Sequence, residues 1–301
     1  MHVQARHALL ATRAPAKINL SLHVLGRRAD GYHLLSSLVA FAGVGDGLSL
    51  SPGEALALQV SGPHACALSV TDDNLVLRAV RHLLALEPDL QTGHFHLVKR
   101  LPVASGMGGG SADAAAALRL MARLNGLPAN DPALLQAARL TGADVLVCLI
   151  GKPCFMSGIG DVLGAPLAMP KLFAVLVNPL FPVATASVFA ALGLATNSAR
   201  GNNPPHLAEN RDAPSLADGR MLTEWLGLQS NELEAPAMRL APIIADVLGE
   251  MRRNPACQLA RMSGSGATCF GLFADCHAAA YASRVLKSSH KNWWVKPTIL
   301  R

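Results

Sequence analysis

The stretch "LPVASGMGGGSADAAAALRLMARLNG", residues 101–126, constrains the fold more than any other. Glycines 106, 108, 109 and 110 stand directly before a segment rich in alanine and leucine, with Ser111 at its start and Asn125-Gly126 as its stop signal. Upstream, "HFHLVKRLPV" alternates as a strand, so the order predicted is strand, glycine loop, helix. Glycine lets a backbone come close to a ligand and aim successive N–H groups at it, and a helix N-terminus favours anions. This is an arrangement suited to phosphate; a ligand-free flexible loop is the plainer alternative. Two familiar phosphate loops are excluded. The chain has no G-K-[ST] tripeptide, and the acidic residue that a dinucleotide fingerprint wants roughly 20 residues on is replaced by the turn "NGLPANDP".

A second constraint lies in "PAKINLSLHV", residues 15–24, where Ile18, Leu20, Leu22 and Val24 alternate with Lys17, Asn19, Ser21 and His23. Period two predicts a half-buried strand with Lys17 and Asn19 on its polar face. "GRRADGYH" then reads as the connection to a second apolar segment, 34–42, and brings Tyr32 and His33 close behind that face.

The remaining chain predicts a helix in "DDNLVLRAVRHLLAL" (72–86), a shorter helix in "DPALLQAARL", a turn at Thr141-Gly142, and an apolar run directly after Asp144. "PKLFAVLVNP" reads as a buried strand opening a second half, and "SNELEAPAMRLAPIIADVLGEM" as helical. "ARMSGSGATCFGLFA" reads as a glycine-rich turn and a strand, and residues 195–220, dense in Asn, Pro, Gly and charge, as a surface loop. No internal repeat is evident.

Composition narrows the class of function. Six cysteines without a C-x-x-C pair read as reduced thiols, and the apolar run Ala8 to Ala11 is too short for a secretion signal, so a cytoplasmic protein is expected. Residues 172–199 carry no charge, but Asn178, Pro179 and Pro182 interrupt them, so no membrane span is expected. A net charge of +6 suits anionic ligands, nucleic acid included. The basic residues are scattered without interleaved aromatics, which argues against a nucleic-acid surface. His94 and His96 share a strand face but lack acidic or cysteine partners, so no metal site is expected there.

Taken together and in order, "PAKINLSLHVLGRRADGYH", "LPVASGMGGGSADAAAAL", "GADVLVCLIGKPCFMSGIGD" and "RMSGSGATCFGLF" resemble the superfamily of galactokinase, homoserine kinase, mevalonate kinase and phosphomevalonate kinase. The resemblance spans nearly the whole chain apart from 195–220. It implies an α+β, two-domain small-molecule kinase fold, N-terminal ribosomal-protein-S5-domain-2-like (1–165) and C-terminal ferredoxin-like (166–301). The implied activity is ATP-dependent phosphorylation of an alcohol, with magnesium on the ATP; no dedicated metal site is legible in these residues. The "PAK-N" and "R-DGYH" elements imply a cytidine diphosphate-linked methylerythritol as the substrate, phosphorylated on its 2-hydroxyl.

By the same resemblance Asp144 would accept the hydroxyl proton, while Lys17 would hold Asp144 and the incoming phosphoryl group. Such roles suit phosphoryl transfer, whose loose transition state asks a base only to orient the alcohol and take its proton late. Taken singly, Asp144 also suits a turn or cap, and Lys17 a solvated strand edge. The ATP loop would comprise Pro102, Val103, Ala104, Ser105, Gly106, Met107, Gly108, Gly109, Gly110, Ser111 and Ala112, with Asn74 and Lys99 nearer the adenine. Asn19, Tyr32, His33, Thr185 and Phe189 would line the substrate side, Tyr32 and Phe189 sandwiching the cytosine. "SGSG", 263–266, would close the site. Where the family commonly has a second serine and a proline, this chain has Ala112 and Leu146. A sibling alcohol kinase fits the same loop, and a nucleic-acid-binding or catalytically silent nucleotide-binding protein fits the charge. Joint presence of Lys17, Asp144 and the full loop sets the kinase ahead. The oligomeric state is not encoded in any of these motifs.

Overall fold

In the computed structural model the described residues are 9–68, 73–199 and 218–301, so residues 200–217 of the expected 195–220 loop lie outside them. The chain divides into two interleaved compact units: residues 1–15, 45–103 and 109–150 form one, and residues 16–44, 104–108 and 151–301 the other. Strands β1 (Leu10–Asn19) and β3 (His33–Gly53) run from one into the other.

In the first unit, the far half of β3 pairs antiparallel with β5 (Thr92–Val98), and β4 (Ala57–Ser61) pairs parallel with β5. Gly45 is required here because a Cβ on it would lie 2.3 Å from the carbonyl oxygen of Ala14. Helices α1 (Leu75–Leu86), α2 (Gly109–Asn125), α3 (Pro132–Thr141) and α4 (Ala143–Ile150) make the other layer. Alanines 112 and 114–117 of α2 are buried, and such small side chains let α1 and α4 pack closely against it. Helix α2 starts two residues before the expected Ser111, because Gly109 and Gly110 join its first turn. It stops at Gly126, whose φ of +67° breaks the helix as expected. The apolar run after Asp144 is helical, forming α4.

In the second unit, β10 (Leu259–Met262), β11 (Cys269–Phe273), β8 (Leu172–Asn178), β12 (Trp294–Leu300), the near half of β3, β2 (His23–Arg27) and β9 (Ser198–Ala199) follow one another in an antiparallel sheet. Strand β6 (Cys154–Gly158) pairs with β3 and with β7 (Val162–Leu163). Helices α5 (Thr185–Ala190), α6 (Gly219–Gly227), α7 (Glu234–Leu240), α8 (Ile243–Arg252) and α9 (Cys276–Ser289) complete it. Val175, Val177, Val247, Leu248, Met262 and Cys269 centre its apolar core. The helical reading of 230–251 divides at Ala241-Pro242, between α7 and α8. The strand expected over 15–24 divides too, ending as β1 at Asn19 and resuming as β2 at His23. Among the described residues, no helix is long and apolar enough to cross a membrane.

Candidate functional site

The polar face of residues 17–23 does not look at water. Lys17, Asn19, Ser21 and His23 are at most 9% exposed, and burial of such groups requires partners. In the second unit the Asn19 backbone N–H donates to Ser263 Oγ (3.1 Å), and its side-chain amide donates to Ser37 Oγ (2.8 Å). Ser37 in turn donates to the Ser21 carbonyl. Lys17 N–H donates to the carbonyl of Met107 at 2.9 Å, and the Lys17 ammonium is near enough to Cys154 to draw its thiol pKa down. Burial outweighs that pull and pushes the Cys154 thiol up to about 11.

The central residues of the glycine loop belong to this same network. Ser263 Oγ donates to the Gly106 carbonyl at 3.0 Å, and Thr268 N–H to the Ser105 carbonyl at 3.1 Å. Gly106 has φ +72°, and a Cβ on it would sit 2.5 Å from the Ser263 carbonyl, so no other residue fits without moving the chain. Ala104 and Gly108 also take positive φ, while Met107 is fully buried. The Asn231 amide donates to the carbonyls of Met262 and Gly264, which fixes the 263–266 turn from the other side. Thr185, at the start of α5, shares a 2.8 Å hydrogen bond with Ser265 Oγ.

On the expected base-binding side, the His33 ring stacks on Phe189 with centroids 4.8 Å apart, whereas Tyr32 is 61% exposed. Phe189 also packs against the apolar core of this unit. The Arg27 guanidinium donates to the carbonyls of Gly31 and Leu194. Partial burial, then the charge of Arg27, hold His33 below the ordinary histidine range.

The first unit holds the remaining expected residues. Asn74 is the N-cap of α1, its side-chain oxygen accepting from Val76 N–H at 3.0 Å. Pro102 and Ala112 are buried, Val103 and Ser111 half-buried. Ala112 faces the core where the family commonly has serine. Gly109 lies over Lys99, since a Cβ there would be 3.2 Å from Lys99 Nζ, and Gly110 lies over Leu75 at 3.1 Å. Lys99, expected beside the adenine, is 2% exposed, its ammonium enclosed by Asp46 and Asp113 at 2.6 Å each. Asp144 sits in the first turn of α4, half-exposed. Arg119 of α2 anchors the far end of α4 by donating to the carbonyl of Cys148 at 2.8 Å.

Asp46, Asp113 and Arg119 were not expected from the sequence. A single charge on an otherwise alanine-rich helix face, as at Asp113, is the signal that could have found one of them.

Residues 74–152 match the GHMP kinases N terminal domain, and residues 207–292 the GHMP kinases C terminal. A 4-diphosphocytidyl-2-C-methyl-D-erythritol kinase of Methylobacterium radiotolerans is 55% identical over 294 residues, covering 97% of this chain and 99% of its own. The chain belongs to the GHMP kinases, among the 4-diphosphocytidyl-2-C-methyl-D-erythritol kinases. The corresponding kinase of Xanthobacter autotrophicus is 52% identical over 97% of this chain and 99% of its own. A crystal structure of a 4-(cytidine 5'-diphospho)-2C-methyl-D-erythritol kinase superposes with a TM-score of 0.75 at 32% identity, covering 97% of this chain and 99% of that one. A homoserine kinase from Cytophaga hutchinsonii, 20% identical, shares the fold at a TM-score of 0.70, with 99% and 96% covered. Membership of this kinase family makes the protein an ATP-dependent phosphotransferase acting on an alcohol group. The expected α+β kinase fold is the one observed.

Proposed function

We propose that the protein transfers the γ-phosphoryl group of ATP to the 2-hydroxyl of 4-diphosphocytidyl-2-C-methyl-D-erythritol, in the non-mevalonate pathway to isoprenoid precursors. The observation that carries this reading is 55% identity, over 97% of the chain, to a kinase of that name. The residues suit the chemistry. Asp144 accepts the proton of the attacking hydroxyl, and Lys17 compensates the negative charge on the transferred group. The loop Pro102 to Ala112 holds the phosphates with its amides, which suits the glycines and the helix start found there. Asn74 serves the adenine side. Lys99 serves ATP from beneath the loop, because its ammonium is turned to two carboxylates.

Asn19, Tyr32, His33, Thr185 and Phe189 bind the alcohol substrate, the two aromatics recognising the flat base. The division of labour follows residue 165, the N-terminal part carrying the loop with Lys17 and Asp144 and the C-terminal part completing the substrate side. Magnesium bound with ATP neutralises part of the phosphate charge. The reaction runs in the cytoplasm on a small-molecule partner, without nucleic acid or membrane. An ADP-release assay with a panel of alcohols tests the reading: the cytidyl substrate should be turned over and mevalonate, homoserine and bare methylerythritol phosphate poorly. Efficient use of mevalonate or homoserine, with the cytidyl compound ignored, would refute the substrate and leave the kinase.

A further inference from the structure

The buried charges beneath the first turn of α2 need an explanation that packing does not supply. Lys99, just past β5, places its ammonium 2.6 Å from one oxygen each of Asp46 in β3 and Asp113 in α2, all within the first unit. Asp46 is saturated: Oδ2 accepts from Lys99, and Oδ1 accepts from the backbone N–H groups of Arg100 (2.5 Å) and Leu101 (2.8 Å). Asp113 is not. Its Oδ2 accepts from Lys99, but its buried Oδ1 has no hydrogen-bond partner among the described residues. A buried polar atom left unpaired costs on the order of 1–3 kcal/mol, whereas an apolar replacement of like shape would cost little. Well-packed apolar residues in place of such a buried ionic cluster are often as stable or more so, so packing stability alone does not call for it.

What the cluster touches points to its role. Gly109 and Asp113 are one turn apart on the same helix face. The ammonium fills the space under Gly109, where a Cβ would lie 3.2 Å away, and also binds Asp113. It therefore holds the first turn of α2 at Asp113 and lies beneath Gly109, while Asp46 ties it to the backbone of the segment that leads into the loop. Burial works against the lysine charge, yet Asp113 and Asp46 together hold Lys99 above the ordinary lysine range. Burial likewise pushes Asp113 up to about 7 against the pull of Lys99.

We propose that Asp113 is a positioning residue, acting through Lys99 and Asp46 to hold the first turn of α2 where its amides meet the phosphates of the nucleotide. The inference rests on the reading of the glycine loop as the phosphate holder, and it adds a residue whose carboxylate is turned away from the ligand. Its test is nucleotide affinity by calorimetry, and steady-state kinetics with each substrate varied, on the full chain. Asp113→Ala frees the helix from its handle but leaves Lys99 and Asp46 as a neutral pair. KM and Kd for ATP should rise about fivefold or more, the scale expected of a small misplacement, while KM for the alcohol stays put and kcat changes less than KM for ATP. Asp113→Asn, which keeps an oxygen for Lys99, should recover most of that loss.

Should the alanine variant not fold, Asp113→Leu fills the same space without a polar atom, and the same rise is expected. A folded alanine or leucine variant with unchanged ATP affinity overturns the proposal. So does a loss of activity that tracks only the fraction folded, or an asparagine variant no better than alanine. Failure of the phosphate reading is seen separately, as wild-type protein that binds no ATP.

Discussion

Replacing Ser263 by alanine removes one oxygen from the centre of the second unit, and the structure says what that oxygen does. Ser263 is fully buried, accepts from Asn19 N–H at 3.1 Å and donates to the Gly106 carbonyl at 3.0 Å. Asn19 is 2% exposed, so its N–H gains no water in exchange and is left unpaired, a loss of about 1–3 kcal/mol. Gly106 is only half-buried, so its carbonyl can be rehydrated and adds at most about 1 kcal/mol. The sum is about 1–4 kcal/mol, with little to set against it because Ser and Ala differ by a single atom. For a chain of this size about 2 °C of melting temperature accompanies each kcal/mol, so the melting temperature followed by circular dichroism should fall by about 2–8 °C. The serine also holds residue 106 in place, so KM for ATP should rise in the folded variant. A melting temperature within about 1 °C of wild type would refute the reasoning, since it would mean that the buried N–H finds another acceptor at no cost.

Asp144→Asn keeps shape but removes the proton acceptor, and kcat should fall by roughly 100-fold or more with both KM values little changed; near-normal turnover would show that another group takes the proton. Truncating Tyr32 or Phe189 to alanine should weaken binding of the cytidyl substrate by about 1–3 kcal/mol and leave bare methylerythritol phosphate unaffected. Equal losses on both ligands would remove the base-stacking role. The His33 ring should titrate by NMR below the ordinary histidine range, and Phe189→Ala, by exposing it, should move it back up. Because folding lowers this pKa, the His33 contribution to stability is present above the unfolded value and is lost as pH falls through the folded one. An ordinary titration in the wild type would contradict the stacked arrangement.

Elements governed by local spacing were legible in the sequence. The apolar period of α1, the Asn125-Gly126 stop of α2 and the alternation of β5 each depend on residues a few positions apart. Contacts between distant segments were not. The apolar segment read over 34–42 continues as β3 to Gly53, since the absent side chain at 45 is what lets the strand lie against Ala14. Lys99 read as a cation available to a nucleotide, because its two carboxylate partners stand 53 and 14 positions away. The polar face of β1 was legible as a face. That Ser37 and Ser263 cover it was not, since Ser263 is 244 positions from Asn19.

The glycine loop shows why such a motif is easier to recognise than to interpret. Read from sequence, each missing side chain is room for phosphate. In the structure the missing Cβ of Gly106 points at the backbone of Ser263 and Gly266, that of Gly109 at Lys99, and that of Gly110 at Leu75. Gly106 is thus required by the backbone it lies against, whereas at Gly109 and Gly110 a neighbouring side chain would have to give by a few tenths of an ångström. A valine at any of these three positions would therefore disturb the packing beneath the loop before it met a phosphate, and lost ATP binding in such a variant would not by itself prove contact. Amide chemical shifts across 104–111 on titration with ATP would, because they read the ligand-facing side without altering the wall behind it. Shifts concentrated at 108–111 would support the helix-start reading, and shifts absent there would move the phosphates elsewhere.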